Sequence, residues 1–168
     1  MPSKLDWVEK KFPNICKNYR HKDGPAGYNC VAFAADDTLR WWWPANELGY
    51  YWPPNVPVQE DLPSFIACFK SLNYEECGLN EFLENGFEKV AIYVDGNNIP
   101  KHVAKQFVYD NGYWRSKLAD ADCISHTLGG LSGLFNGMQY ANYGNVAIIL
   151  RRKANVIQTQ PASLAKTM

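Results

Sequence analysis

Apolar residues recur at helical spacing in two stretches of the chain. Leu5, Val8, Phe12, Ile15 and Cys16 mark one face of a short helix interrupted by Pro13. Leu62, Phe65, Ile66 and Phe69 form an inward stripe over 58–72, with Asp61 as N-cap and Pro63 in the first turn. A third helix is predicted from Cys30 to about Trp43, closed by Pro44. Near residue 89 the period becomes strand-like. Lys89–Val94 and His102–Tyr109 predict strands joined by the turn Asp95-Gly96-Asn97-Asn98, and Tyr113–Leu118 returns antiparallel past Asp110-Asn111-Gly112. Gly144–Arg152 predicts a last strand. Tyr74–Cys77 fits an edge strand or loop, Asn80–Gly86 a short helical turn closed by glycine, and Ile124–Leu134 a glycine-rich, weak helix. This order predicts an α+β fold, with N-terminal helices packed on a central antiparallel sheet. One domain is expected over 1–158, with a polar tail at 159–168.

Charge narrows the partners. Lys+Arg and Asp+Glu both number 17, so no global field draws the protein to nucleic acid or an anionic membrane. The first residues lack the apolar core of a signal peptide and no run has the length of a membrane span, so a cytoplasmic protein is expected. Five cysteines without CxxC or zinc-finger spacing argue for reduced thiols and against a structural metal, and no cofactor is expected.

Cys30 stands after the Gly/Pro-rich turn 21–27 and heads the run Val31-Ala32-Phe33-Ala34-Ala35. Backbone N–H groups and the dipole at a helix start favour a thiolate and would cradle an oxyanion, which makes Cys30 a candidate nucleophile. The plainer role is a small buried hydrophobe. A thiol nucleophile needs a base held by a third group. Of three histidines, His21 lies in a loop, His126 in the glycine-rich region, and His102 opens a strand at the rim of the sheet, where a helix N-terminus packed across the sheet would meet it.

The third group depends on hairpin register. A three-residue loop at 110–112 pairs Tyr109 with Tyr113, brings Asp120 near His102, and places Ser116 on that face opposite Gln106. A two-residue Asn111-Gly112 turn slips the register by one, removing Asp120 and putting Lys117 opposite Gln106. Asp120 is the first choice, with Ser116 and His126 behind it.

Tyr28-Asn29-Cys30-Val31-Ala32-Phe33-Ala34, Glu88–Val94 and His102-Val103-Ala104 resemble, in order and spacing, the permuted papain-like clan of NlpC-type and CHAP amidases and peptidases. The resemblance spans 27–120. It implies a papain-like fold, Cys30 as nucleophile, His102 as base, an orienting polar residue on the next strand, and a peptide, peptidoglycan-like or other amide substrate. Trp41, Trp42, Trp43, Tyr51 and Trp52, in a proline-rich segment, would line the cleft or plug the core. Two further readings are a non-catalytic domain binding a peptide or glycan through that segment, and a metal site of Cys30, His102 and His126.

Overall fold

The computed structural model describes residues 6–12, 14–15, 20–22, 26–118, 123–133 and 143–154; Leu5, Cys16, Asp120 and the predicted tail lie outside them. In chain order the elements are α1 (Asp6–Lys11), β1 (Arg20–Lys22), α2 (Cys30–Ala34), β2 (Trp41–Trp42), β3 (Tyr50–Tyr51), α3 (Leu62–Lys70) and β4 (Glu75–Glu76). There follow β5 (Phe87–Val94), β6 (Pro100–Gln106), β7 (Trp114–Lys117), β8 (Cys123–His126), α4 (Leu128–Leu131) and β9 (Asn145–Lys153).

The run Val90-Ala91-Ile92-Tyr93-Val94 is apolar at successive positions, as a strand buried on both faces must be, and all five residues are buried. It lies inside a seven-stranded sheet of order β1-β8-β7-β6-β5-β9-β4, with every pairing antiparallel. Alternation along the strands then divides two cores. Val90, Ile92, Val94, Val103 and Leu150 pack with Val31, Ala32 and Ala34 of α2 and Phe65 and Phe69 of α3. Ala91, Tyr93, Ala104, Trp114, Ile124 and Ile149 pack with Val8, Phe12, Leu128 and Leu131 on the other side. The architecture is α+β, with short helices on both sheet faces.

Helix α3 follows its sequence signals. Asp61 caps it by accepting from the Ser64 N–H at 2.9 Å, and Pro63 sits in the first turn. Elsewhere tertiary contacts override pattern. The helix predicted to reach Trp43 stops at Ala34, because Asp36 turns to a left-handed φ of 62°. Its carboxylate accepts from buried Lys105 Nζ at 2.7 and 2.8 Å and from Arg152 at 2.7 Å, which offsets the unfavourable backbone. The freed chain lays Trp41–Trp42 beside Tyr50–Tyr51 as a short parallel pair. No helix forms over 80–86: buried Lys89 Nζ donates to the carbonyls of Asn80 and Phe82, holding that segment as irregular chain. The weak helix predicted over 124–134 is instead β8 followed by the single turn α4.

The hairpin adopts neither expected turn. Lys105 pairs with Arg115, so the connection is wider than both. Relative to the three-residue loop the register moves by two, which leaves every side chain on the face that loop assigned it. Ser116 therefore shares the face of His102.

Candidate active site

Cys30 occupies the first position of α2, fixed there by Asn29. The Asn29 Oδ1 accepts from the N–H groups of Ala32 and Trp42, both at 3.1 Å, while its Nδ2 donates to the Trp42 carbonyl at 2.8 Å. One buried amide thus caps the helix and ties the aromatic segment to it. Cys30 is 8% exposed. Burial pushes its thiol pKa up to about 11, against the pull of the backbone N–H groups of Val103, Val31 and Cys30 itself and of the Lys117 charge. The resting sulfur is a neutral thiol.

His102 is the third residue of β6, where the sequence pattern placed it at the start. Its register partner is Tyr93, and alternation sends it toward the α1 side while Val103 faces α2. The His102 ring is held by a chain of hydrogen bonds whose direction can be read from one end. The Thr127 carbonyl, an acceptor, takes the Nδ1–H of His126 at 2.7 Å. Neutral His126 then presents a lone pair at Nε2, and the Ser116 hydroxyl donates to it at 2.6 Å. Ser116 Oγ in turn accepts the Nε2–H of His102 at 2.7 Å. The proton of His102 is thereby fixed on Nε2 and a lone pair left on Nδ1, a buried atom with no protein partner. Burial holds His126 near 4; burial first, then the charges of His126 and Lys11, hold His102 well below the ordinary imidazole value.

Cys30 and His102 come together as walls of one pocket of about 320 Å³, shared with Lys11, Asn29, Trp41, Trp43, Tyr50, Lys101 and Tyr143. No hydrogen bond joins the sulfur to the imidazole. Tyr143 lies flat on His102, ring centroids 4.0 Å apart and planes at 4°, and is backed by Phe12 at 5.1 Å. Gly144 permits this placement. Its φ is 82°, and a Cβ there would fall 1.9 Å from the Val94 carbonyl oxygen.

The aromatic segment divides its residues. Trp41, Trp43 and Tyr50 line the pocket. Trp42 is buried, 4.7 Å from the Tyr51 ring, with its Nε1–H on Asp37 at 2.8 Å. Tyr51 and Trp52 pack against the same core, Trp52 lying 5.3 Å from Phe65. Wall and plug are thus both present, in different residues. Lys11, Lys101 and Tyr143 were missed from the sequence alone: they come from three distant segments and carry no local pattern. Among the described residues no group of three or more His, Cys, Asp or Glu is placed to hold a metal ion, and His21 lies on β1, paired with Ile124 rather than in a loop. No helix among the described residues is long and apolar enough to cross a membrane.

A family model described as "Domain of unknown function (DUF7689)" matches residues 20–151. The chain belongs to this family. No curated protein and no solved structure matches it. In this DUF7689 domain the matched span contains Cys30, His102, Ser116 and His126, whereas Lys11 precedes it.

Proposed function

We propose that this DUF7689 domain is a thiol hydrolase, an amidase or peptidase of papain-like type, with Cys30 as nucleophile and His102 as base. The observation that carries the reading is the unpaired Nδ1 lone pair of His102, its tautomer set by Ser116 and His126, on the wall of the pocket that also holds Cys30. In the reaction the thiol proton passes to His102 Nδ1 as the sulfur attacks the amide carbon. The tetrahedral oxyanion collapses, the C–N bond breaks, and the amine leaves with the proton from His102. Water then gives a proton to Nδ1 and attacks the thioester, releasing the acid and restoring the thiol. Proton transfer requires a closer approach than the resting structure holds, as is common before substrate binds. Ser116 and His126 are positioning residues. Asp120, the first choice for that role, lies outside the described residues.

Neutral-pH alkylation tests this. Iodoacetamide should label Cys30 at pH 7, labelling should fall sharply in His102→Gln, and Cys30→Ala should abolish labelling and amide cleavage together. Labelling that begins only at alkaline pH, following the raised thiol pKa, would overturn the proposal. A second reading, a non-catalytic peptide- or glycan-binding domain, is favoured by the unmade thiol–imidazole bond and the high thiol pKa. It expects ligand binding to survive Cys30→Ala and to fail in Trp41→Ala and Trp43→Ala.

A further inference from the structure

Among the described residues, the pocket carries a charge that nothing in it answers: two ammonium groups, Lys11 and Lys101, line it, and no carboxylate does. Lys101 has Asp95 at 3.6 Å. Lys11 has no carboxylate partner among the described residues; its Nζ sits instead 5.3 Å from the ring centroid of Tyr143 and 5.5 Å from that of Phe12. Rings of this kind draw a cation but cannot neutralise it. Partial burial without a counter-charge costs Lys11 solvation, and its pKa is lowered accordingly.

The position of this charge relative to the reacting groups is fixed through Tyr143. The same ring that lies 5.3 Å from Lys11 Nζ is stacked on His102 at 4.0 Å, which places the ammonium within about 9 Å of the imidazole. An extended peptide covers that distance in about three residues. Trp41, Trp43 and Tyr50 also line the pocket. The cavity, about 320 Å³, is at the small end of ligand sites.

Building on the thiol-hydrolase reading, we infer that the amide cleaved here carries a carboxylate within two residues of the scissile bond, taken by Lys11 with Lys101 at its flank, while Trp41, Trp43 and Tyr50 hold the apolar part. The carboxylate is either a free peptide C-terminus or an acidic side chain. Both present the same planar anion to Lys11, and both replace the hydration that the ammonium has lost.

The test uses the full chain carrying Cys30→Ser, titrated by calorimetry with three N-acetylated peptides: tri-alanine amide, tri-alanine with a free C-terminus, and Ala-Glu-Ala amide. At least one acidic peptide should bind about ten-fold tighter than the neutral amide, as a charge-assisted contact implies. The acidic peptide that gains identifies the source of the carboxylate. Lys11→Gln should remove the gain and Lys11→Arg keep it, with thermal melts confirming that both variants fold. Equal binding of all three peptides, binding of none, or a preference that survives Lys11→Gln would overturn the inference. Incubating unsubstituted protein with the same peptides separates the two claims. Lys11-dependent binding without cleavage removes the hydrolase and leaves the carboxylate site; equal cleavage of neutral and acidic peptides does the reverse.

Discussion

Strand β6 carries a buried polar cluster on each of its faces, and the two are built on opposite principles. On the α2 side Lys105, fully buried, holds Asp36 at 2.7 Å and Glu88 at 3.6 Å, while Arg152 bonds Glu88, Asp36 and the Leu72 carbonyl. Each of these charges has an opposite charge beside it. On the α1 side the groups are neutral: His102, Ser116 and His126 form a directed chain that begins at a carbonyl and ends on a ring nitrogen without a partner. A saturated cluster has nothing left to offer a ligand and serves the fold. An unsaturated one bordering a pocket keeps a lone pair open to a proton, although the desolvation that holds its imidazoles neutral also makes them weaker bases than a free histidine. Odd and even positions of one strand thus carry a saturated ion cluster on one face and an unsaturated neutral chain on the other.

The largest expected effect breaks the saturated side. Lys105→Met removes the cation between Asp36 and Glu88, leaving buried Glu88 and partly exposed Asp36 with Arg152 alone. Breaking a buried ion pair costs about 3–5 kcal/mol, and denaturant unfolding should show a loss near the lower end because Asp36 retains some contact with water. Alkylation of Cys30 at neutral pH should stay unchanged in the folded variant. A matching loss of labelling would show that the two clusters are not separate.

Acid should break the other side. His126 is held near 4 against an ordinary value of 6.5, so below 6.5 the unfolded chain takes up its proton first. Stability from this group is present above pH 6.5 and is lost as pH falls from 6.5 toward 4, by about 3 kcal/mol in total. His102 is shifted in the same direction and adds to the loss. Once protonated, His126 offers a second donor to Ser116 Oγ, and the hydroxyl proton has no acceptor. Unfolding midpoints compared between pH 7 and 4 should fall more steeply in the unsubstituted protein than in His126→Gln; parallel curves would mean that His126 is already charged in the fold.

These two clusters also mark how far the sequence could be read. The central strands, the cap at Asp61 and the placing of Cys30 at a helix start were legible, because each rests on contacts within a few residues. The length of α2 was not: the stop at Asp36 is set by Lys105 and Arg152, which lie 69 and 116 residues further along. The hairpin register was misjudged for a similar reason. Gln106 Nε2 donates to the carbonyls of Glu81 and Gly112, tying the wide loop to a segment that turn chemistry alone does not mention. Ser116 nonetheless fell on the correct face, since a shift of two residues preserves facing. Of the pocket, Cys30, His102, Trp41 and Trp43 carried readable signals. Tyr143 did not, because its place depends on the close approach of Gly144 to Val94.

The finest test lies within the neutral chain. Ser116→Ala leaves the Nε2–H of His102 without an acceptor and the Nε2 lone pair of His126 without a donor, and losing one such buried contact costs about 1–3 kcal/mol. That loss alone would fit a structural role as well as a positioning one. The distinguishing quantity is the tautomer. Without Ser116 the His102 proton is free to move to Nδ1, which removes the lone pair there, so the His102-dependent alkylation of Cys30 at pH 7 should drop while labelling at alkaline pH persists. Ser116→Thr, which keeps the hydroxyl, should recover most of the neutral-pH rate. If Ser116→Ala lowers stability but leaves the pH profile of labelling where it was, the chain from Thr127 to His102 is scaffolding like the ion cluster across the strand, and the non-catalytic reading of the pocket gains the argument.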